Sequence, residues 1–317
     1  MTGTEANALE PFATDVRYYI SLTPRQLPSH YFYDELGSAL FDAICRLPWY
    51  GITRAESRLL AAHGDEVFRR IGSGSTVVEL GPGSGGKLRL LLDAAGARRA
   101  MQVHLVDVSP SALELAAQTV GALEGVQVAT HAATYDAGLR AAASRAEGRT
   151  LVLFLGSNIG NFDPPGAAAF LHNVRVSLSP GDGLLLGADL VKSEGTLRLA
   201  YDDPLGVTAA FNRNLLVRIN RELGGDFDVD RFQHRAVWNA DRSRVEMHLV
   251  ADSAQHVHIP RAGVKFRMEA GEFIWTESSY KYRREDVATL LQSCGFRPAA
   301  PWIDRQDAFA LTFAEAV

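Results

Sequence analysis

The sequence predicts an α/β protein with a doubly wound, mostly parallel sheet and an inserted α+β lobe. Between about residues 76 and 190, short apolar runs alternate with amphipathic stretches, which is typical of βαβ units in a parallel sheet. From about residue 193 to 282 this alternation gives way to a long helical stretch and to pairs of alternating strands. A lobe of different architecture is therefore inserted before the last elements of the sheet.

The first five strands of the predicted sheet are apolar runs, which are separated by stretches of helical periodicity. The strands are predicted at 76–80, 103–108, 126–130, 150–155 and 183–190. The helices between them are predicted at 86–95, 110–121, 136–146 and 164–178. Ser109 and Asp163 each precede a proline and suit helix N-caps, because a short polar side chain accepts from the first free amides of a helix.

The inserted lobe is predicted to combine a helix with a hairpin. Residues 204–223 are predicted as one helix, and the alternating runs at 232–239 and 243–251 are joined by a turn-prone Ala-Asp-Arg. Further strand-like pieces are followed by an amphipathic helix from 284 and a terminal strand from 308, which return the chain to the sheet. The predicted domains are 56–192 with 283–317 for the sheet, and 8–55 with 193–282 for the lobe.

Composition restricts the classes of protein and partner. With 317 residues, 47% of them hydrophobic, the chain can bury a sizeable core. A formal net charge of -5 without a long basic run argues against nucleic-acid binding and favours a small-molecule partner. Cys45 and Cys294 are far apart and are expected to be buried, unreactive thiols of a reducing compartment. No apolar stretch has the length of a membrane span and no secretory leader begins the sequence, so we expect a cytoplasmic protein without membrane contact.

A glycine-rich loop, VELGPGSGGK at 78–87, follows the first predicted strand. Gly81, Gly83 and Gly86 fit G-x-G-x-x-G, a turn that lets the backbone approach a nucleotide and directs helix amides at it. This spacing is shared by NAD enzymes, S-adenosylmethionine enzymes and turns that bind nothing. Glu79 lies where a dinucleotide-binding strand is normally apolar, and its carboxylate favours a cation such as the sulfonium of S-adenosylmethionine. Asp107 ends the second strand and suits the ribose hydroxyls of either cofactor.

A second loop, FLGSNIGNFDPP at 154–165, follows the fourth strand at the carboxyl edge of the sheet, where ligands of open α/β folds bind. It carries Gly156, Gly160, Asn158 and Asn161. An asparagine amide both donates and accepts, so Asn161 suits the carboxylate or the amine of an amino acid. The alternative is a turn-forming asparagine bonded to its own backbone.

Together these motifs resemble one family, the L-histidine Nα-methyltransferases of ergothioneine biosynthesis. The similarity covers nearly the whole chain and is carried by HYFYDELGSALFDAICRLPWYGITRAE, VELGPGSGGK, FLGSNIGNF, LLLGADLVKS, AYDDPLGVTAAFNRNLLVRINREL, VEMHLVADSAQHV and FIWTESSYKY. It implies a class I methyltransferase (Rossmann-like) fold that uses S-adenosyl-L-methionine as co-substrate, without a metal, to trimethylate L-histidine to hercynine. The sheet domain then binds the cofactor and the lobe binds the substrate. We expect a monomer.

The resemblance also implies the residues that bind each ligand. For the cofactor they are Tyr33, Gly81 and Lys87 at the methionine carboxylate and Asp107 at the ribose. For histidine they are Tyr50 at the amine, Gly156 and Asn161 at the amine and carboxylate, Tyr201 at the carboxylate, Met247 against the ring, and Glu277 and Ser279 at the ring nitrogens. Tyr50 and Asn161 are the expected catalytic residues. Taken singly, most of these residues are better interpreted as ordinary core or surface side chains, and only their occurrence together at the spacing of one family favours the binding roles.

The adenine-binding segment departs from the family. Where the family has an Asp-Phe pair, this chain has Thr134-Tyr135, followed by Asp136. Tyr135 keeps a ring that can stack on adenine, and the Thr134 hydroxyl or the Asp136 carboxylate can accept from the exocyclic amine. The departure therefore bears on cofactor affinity rather than on cofactor identity.

Several alternatives remain open on the sequence. A related methyltransferase for tryptophan or a histidine derivative differs only in the side-chain pocket, where Met247 and Glu277 favour imidazole. An NAD-dependent oxidoreductase agrees with the glycine spacing, but the chain has no identifiable acid or base for hydride transfer. A non-catalytic S-adenosylmethionine-binding module would not need the amino-acid residues. His256 and His258 share a strand face without a third ligand at suitable spacing, so no metal site is expected.

Overall fold

The computed structural model describes residues 9–72, 74–94 and 101–317 and falls into two units. The aromatic unit comprises Met1–Tyr50 and Ser193–Ser279, and the sheet unit comprises Gly51–Lys192 and Tyr280–Val317. Residue 8, where the lobe was predicted to begin, and residue 95, the predicted end of a helix, lie outside the described residues. No helix in the described ranges is long and apolar enough to cross a membrane.

The elements are numbered in chain order. The helices are α1 (Glu10–Ile20), α2 (Glu35–Arg46), α3 (Gly51–Ile71), α4 (Gly86–Ala94), α5 (Pro110–Gly121), α6 (Tyr135–Ala143), α7 (Pro164–Val176), α8 (Glu194–Tyr201), α9 (Val207–Leu223) and α10 (Arg284–Ser293). The strands are β1 (Arg25–Gln26), β2 (Thr76–Leu80), β3 (Met101–Asp107), β4 (Val126–Ala132), β5 (Thr150–Phe154), β6 (Gly183–Asp189), β7 (Phe232–Asn239), β8 (Arg244–Ala251), β9 (Gln255–Ile259), β10 (Val264–Met268), β11 (Phe273–Tyr280), β12 (Phe296–Asp304) and β13 (Phe309–Ala316).

The sheet unit is built on one sheet whose described strands run in the order β12-β13-β6-β5-β2-β3-β4. The pairs from β6 to β4 are parallel, whereas β13 is antiparallel to both of its neighbours. Every residue of β2, β5 and β6 is buried, as expected for central strands covered by helices on both faces. The predicted α/β class with a doubly wound, mostly parallel sheet is confirmed.

The starts of helices α5 and α7 agree with the predicted caps. The Ser109 hydroxyl accepts from the Ala112 amide at 3.3 Å, and the Asp163 carboxylate accepts from the Gly166 amide at 2.9 Å. The predicted helix at 204–223 instead starts at Val207, because Gly206 precedes it with φ 73° and breaks the helical backbone. Cys294 is buried, but Cys45 is only half-buried, so the expectation of two buried thiols was wrong for Cys45.

The aromatic unit contains a sheet with described strands in the order β1-β11-β8-β7 and a separate β9-β10 pair. The predicted hairpin is β7 and β8, which pair in antiparallel fashion with Ala236 opposite Met247. Helix α9 buries Phe211, Leu215 and Leu216. The Phe211 ring lies 4.6 Å from that of Phe32, so aromatic packing joins α9 to the N-terminal segment.

Candidate active site

The glycine loop between β2 and α4 has three glycines in the left-handed region. The φ angles are 73° at Gly81, 55° at Gly83 and 75° at Gly85, whereas Gly86 begins α4. A Cβ at Gly85 would lie 2.9 Å from the Ala116 Cα on α5. The third glycine that the backbone requires is therefore Gly85, one residue before the position given by the G-x-G-x-x-G spacing.

The residues around this loop fit a cationic nucleoside cofactor. A Cβ at Gly81 would lie 3.0 Å from the Tyr135 hydroxyl, and the φ of 73° also favours glycine there. Glu79 is fully buried at the end of β2, and its Oε2 has no hydrogen-bond partner in the described part of the chain. Burial raises the pKa of Glu79 to about 8, against an opposing effect of Lys87 and with smaller contributions from Glu56 and Asp107. A nearby positive charge would favour the ionised form of this carboxyl.

The residues predicted to bind the ribose and the adenine lie at the end of β3 and just after β4, in the same unit. The Asp107 carboxylate accepts from the Ser109 amide at 2.9 Å, and burial raises its pKa. Tyr135 begins α6 and packs edge-on against Phe154, with 5.5 Å between ring centroids. Thr134 precedes it as an exposed N-cap residue whose side chain makes no cap hydrogen bond. Contact of either residue with adenine stays a prediction.

Glu56 on α3 connects the two loops and was not singled out from the sequence. Its side chain is fully buried, pairs with Lys87 Nζ at 2.5 Å, and accepts from the Gly156 amide at 2.8 and 2.9 Å. A charge in this setting is stable only when it is paired and hydrogen-bonded. The signal in the sequence is an acid on the apolar face of an amphipathic helix, between buried Ile52 and Leu59.

The loop after β5 has the strained backbone that a ligand-binding loop often shows. Gly156 has φ 76° and Ser157 has φ 59°, and the Ser157 hydroxyl accepts from the Asp189 amide at 2.9 Å. A Cβ at Gly160 would lie 2.6 Å from the Tyr280 carbonyl oxygen. Asn161, at the end of the short 3-10 helix that follows, has an exposed side chain. The contacts of this loop hold its backbone in place, and the side-chain amide of Asn161 at its end is exposed.

Three predicted ligand-binding tyrosines of the aromatic unit lie close to one another. Tyr50 and Tyr201 have ring centroids 6.3 Å apart, and Phe41 lies 6.3 Å from Tyr50 and 5.5 Å from Tyr33. Burial raises the pKa of Tyr50 well above its usual value, and Tyr201, Cys45, Tyr33 and Glu277 add to the effect. The Tyr50 phenol therefore keeps its proton at neutral pH.

The predicted imidazole-binding segment lies beside this tyrosine cluster in the same unit. The hydroxyls of Tyr201 and Ser279 are 2.8 Å apart. Met247 is buried, and its carbonyl oxygen lies 2.9 Å from the Thr276 hydroxyl. Glu277 is half-buried and its backbone carbonyl accepts from the Trp275 indole at 2.8 Å. The structure thus brings Tyr201, Glu277 and Ser279 together from segments far apart in sequence.

The predicted site residues divide between the two units. Tyr33, Tyr50, Tyr201, Met247, Glu277 and Ser279 belong to the aromatic unit, and Gly81, Lys87, Asp107, Thr134, Tyr135, Gly156 and Asn161 belong to the sheet unit. In the described ranges, no three or more His, Cys, Asp or Glu side chains are grouped to hold a metal ion.

Comparison with known proteins identifies the family. Residues 12–316 match the model of a family described as histidine-specific, S-adenosylmethionine-dependent methyltransferases. The chain belongs to this family. As a member of the histidine-specific methyltransferases, it is an enzyme with S-adenosylmethionine as its methyl donor, and the expected class of reaction is confirmed.

Relatives with curated names agree with this assignment. The chain is 42% identical to the histidine N-alpha-methyltransferase of Mycolicibacterium smegmatis, over 97% of this chain and 96% of that protein. The histidine N-alpha-methyltransferase of Mycobacterium tuberculosis is also 42% identical, over 95% of this chain and 93% of its own length. Ergothioneine biosynthesis protein 1 of Neurospora crassa is 31% identical over 88% of this chain but only 32% of that longer protein.

Proposed function

We propose that this enzyme transfers three methyl groups from S-adenosylmethionine to the α-nitrogen of L-histidine and forms hercynine, a step of ergothioneine biosynthesis. The observation that carries the proposal is the match to a histidine-specific family from residue 12 to 316. The buried contact between Tyr201 and Ser279 supports it, because it joins two of the segments that the proposal assigns to histidine.

In this proposal the sheet unit binds the cofactor, which supplies a methyl group activated by its sulfonium. Gly81 lets the backbone approach the methionine part, and Lys87, held by Glu56, binds the methionine carboxylate. Asp107 accepts from the ribose hydroxyls, and Thr134 with Tyr135 contacts the adenine. Tyr33, with 36% of its surface exposed, is the further residue that we propose for the methionine carboxylate.

The amine of histidine must be neutral to attack the methyl group, and three protons must leave over three transfers. Since Tyr50 keeps its own proton, it is a hydrogen-bonding partner of the amine rather than a base, and water carries the protons away. The Asn161 amide accepts from the amine or donates to the carboxylate. Gly156 and Gly160 add no side chain, so the growing methylammonium group keeps its space.

The imidazole is selected by hydrogen bonds that an apolar side chain cannot replace. Glu277 accepts from one ring N–H, the Ser279 hydroxyl serves the other nitrogen, and Met247 packs against the ring. A substrate without the ring N–H leaves a carboxylate unpaired, and this costs about 1–3 kcal/mol or more. Tyr201 binds the substrate carboxylate.

We propose that the aromatic unit is the substrate-binding domain and that the sheet unit is the cofactor-binding domain. The partners are small molecules, and nucleic acid, membrane and a bound metal have no part in the reaction. The protein acts as a monomer in the cytoplasm.

A competition assay tests the proposed specificity. Purified enzyme is given limiting S-adenosylmethionine with equal concentrations of histidine and tryptophan. Tryptophan is a substrate of the alternative function, a related amino-acid methyltransferase. We expect histidine to be methylated in large excess, and we expect Glu277→Ala to lower the histidine-to-tryptophan ratio about tenfold or more. Glu269→Ala, which changes an exposed glutamate of the same unit, is the control. Preferential methylation of tryptophan by the unchanged enzyme would support the alternative.

A further inference from the structure

His234 on β7 joins two segments of the aromatic unit through both of its ring nitrogens. Only 1% of its side chain is exposed. Its Nε2 lies 2.7 Å from the backbone carbonyl oxygen of Tyr201, and its Nδ1 lies 2.8 Å from the Asn212 Nδ2 on α9. Buried polar atoms with such short contacts on both sides are held in one arrangement.

The surroundings of Asn212 decide which nitrogen of His234 carries the proton. Asn212 is fully buried, and its Nδ2 also lies 3.2 Å from the carbonyl oxygen of His248. A carbonyl oxygen only accepts, so the nitrogen of the amide must face it and the amide cannot be turned over. The Asn212 nitrogen therefore donates to His234 Nδ1, and the proton of the ring is on Nε2, where it donates to Tyr201.

The same amide reaches the strand that carries Glu277 and Ser279. The Thr276 hydroxyl donates to Asn212 Oδ1 at 2.7 Å and lies 2.9 Å from the carbonyl oxygen of Met247. Thr276 directly precedes Glu277, and the Tyr201 hydroxyl contacts Ser279. One imidazole and one amide thus fix the backbone of the segments that hold the proposed histidine-binding side chains.

We propose that His234, together with Asn212, is a positioning pair that sets the histidine-binding geometry of Tyr201 and of the Thr276–Ser279 segment. The proposal rests on the proposed function, since these side chains are its histidine ligands. His234 acts as the neutral tautomer protonated on Nε2. Burial lowers the pKa of His234 and thereby favours this neutral form, and Arg213 adds to the effect. The hydrogen bond to the Tyr201 carbonyl and the charges of Asp202 and Asp203 oppose it.

Steady-state kinetics of His234→Phe test the positioning role. The change keeps ring volume but removes the donor to Tyr201 and the acceptor for Asn212. We expect the KM for histidine to rise about tenfold or more, while the affinity for S-adenosylhomocysteine, measured by calorimetry, stays within about twofold. His256→Phe, the same change at an exposed histidine of the same unit, is expected to leave both values unchanged. A merely structural role would lower the melting temperature without raising KM, and that result would overturn the proposal.

The tautomer is tested on the unchanged protein, so the proposal stays falsifiable if His234→Phe folds poorly. Nitrogen-15 NMR of labelled histidine side chains at pH 7 is expected to show the His234 ring neutral, protonated on Nε2 and unprotonated on Nδ1. The signal is assigned by its loss in His234→Gln. Asn212→Asp replaces the donor facing Nδ1 by an acceptor and is expected to protonate both nitrogens. An imidazolium or an Nδ1–H ring in the unchanged protein would overturn the proposal.

Failure of this proposal and failure of the proposed function give different results. If the unchanged enzyme does not methylate histidine, the function is wrong, and the NMR result still tests the neutral Nε2–H tautomer. If it methylates histidine and His234→Phe has an unchanged KM, only the positioning role is wrong.

Discussion

Glu79 is a buried acid of the sheet unit whose pKa is affected by two other acids and one lysine. Glu56 pairs with Lys87, and the electrostatic effects of Glu56, Lys87 and Asp107 all reach the buried Glu79. Burial is the main cause that raises the pKa of Glu79 to about 8, and the opposing effect of Lys87 does not cancel it. The folded protein therefore holds a proton at Glu79 at neutral pH.

The pKa of Glu79 predicts a proton release when the cofactor binds. The sulfonium of S-adenosylmethionine favours the ionised carboxylate, so below about pH 8 binding should release up to one proton, and affinity should rise between pH 6 and 8. Calorimetry in buffers of different ionisation heat measures this release. S-adenosylhomocysteine, which lacks the sulfonium charge, is the matched ligand and should release less. An equal release by Glu79→Gln would assign the proton to another group.

The raised pKa of Glu79 also makes the free energy of unfolding depend on pH. The folded pKa of Glu79 lies above the value of 4.5 that applies to the unfolded chain, so the folded state binds the extra proton between these values. Its contribution to the free energy of unfolding is fully present below pH 4.5 and is lost as pH rises to about 8.

At the scale of single residues, the sequence motifs identified predicted ligand-binding residues that lie in continuous segments. They did not identify the side chains that hold these segments in place. Glu56 accepts from an amide 100 residues away, and His234 donates to a carbonyl 33 residues away. Each partner is a backbone group, and a backbone group leaves no residue type to recognise in a sequence. The buried acid on the apolar face of α3 was a usable sign, whereas an isolated histidine in an alternating strand was not.

Among the elements, β6 is shaped to accept the carboxylate carried by α3. Gly187 lies in the middle of this fully buried strand, and a Cβ there would overlap the Oε1 of Glu56 and lie 3.1 Å from the Phe309 ring. A glycine inside a strand costs stability, and here the cost is offset by the space it leaves for Glu56.

Gly187→Ala is therefore expected to displace Glu56 from Lys87 and Gly156. We predict a loss of about 3 kcal/mol in the free energy of unfolding, because the change both overpacks the core and disturbs a buried ion pair. Chemical denaturation measures this loss. Gly195→Ala, in helix α8 with no atom within 4 Å of the new Cβ, is the matched control and should stabilise the protein by about 0.5–1 kcal/mol. Equal stability of both variants would show that Glu56 can move aside without cost.

The central strands and the capped helices were predictable because hydrophobic period and cap chemistry are local properties. Strand β12 was missed, since Pro298 and Pro301 normally exclude a central strand. The structure places β12 at the edge of the sheet, where an unpaired side tolerates proline. Edge position depends on the packing order of the whole sheet and has no local signal.

For the whole molecule, two kinds of architecture carry two sets of predicted ligand residues. The alternation of strands and helices predicted the methyltransferase sheet, and the break in this alternation predicted the lobe. Periodicity does not reveal which tyrosines of the lobe meet, because Tyr33, Tyr50 and Tyr201 come from separate segments. Phe41 packs against both Tyr33 and Tyr50, and Tyr201 packs against Tyr50.

Product analysis tests histidine trimethylation most directly. Purified enzyme is incubated with histidine and an excess of S-adenosylmethionine, and the product is examined by mass spectrometry and NMR. We expect a product that carries three added methyl groups, all on the α-nitrogen, with three molecules of S-adenosylhomocysteine formed for each. Methylation of the imidazole ring, or trimethylation of another amino acid while histidine is left unchanged, would contradict the proposed function.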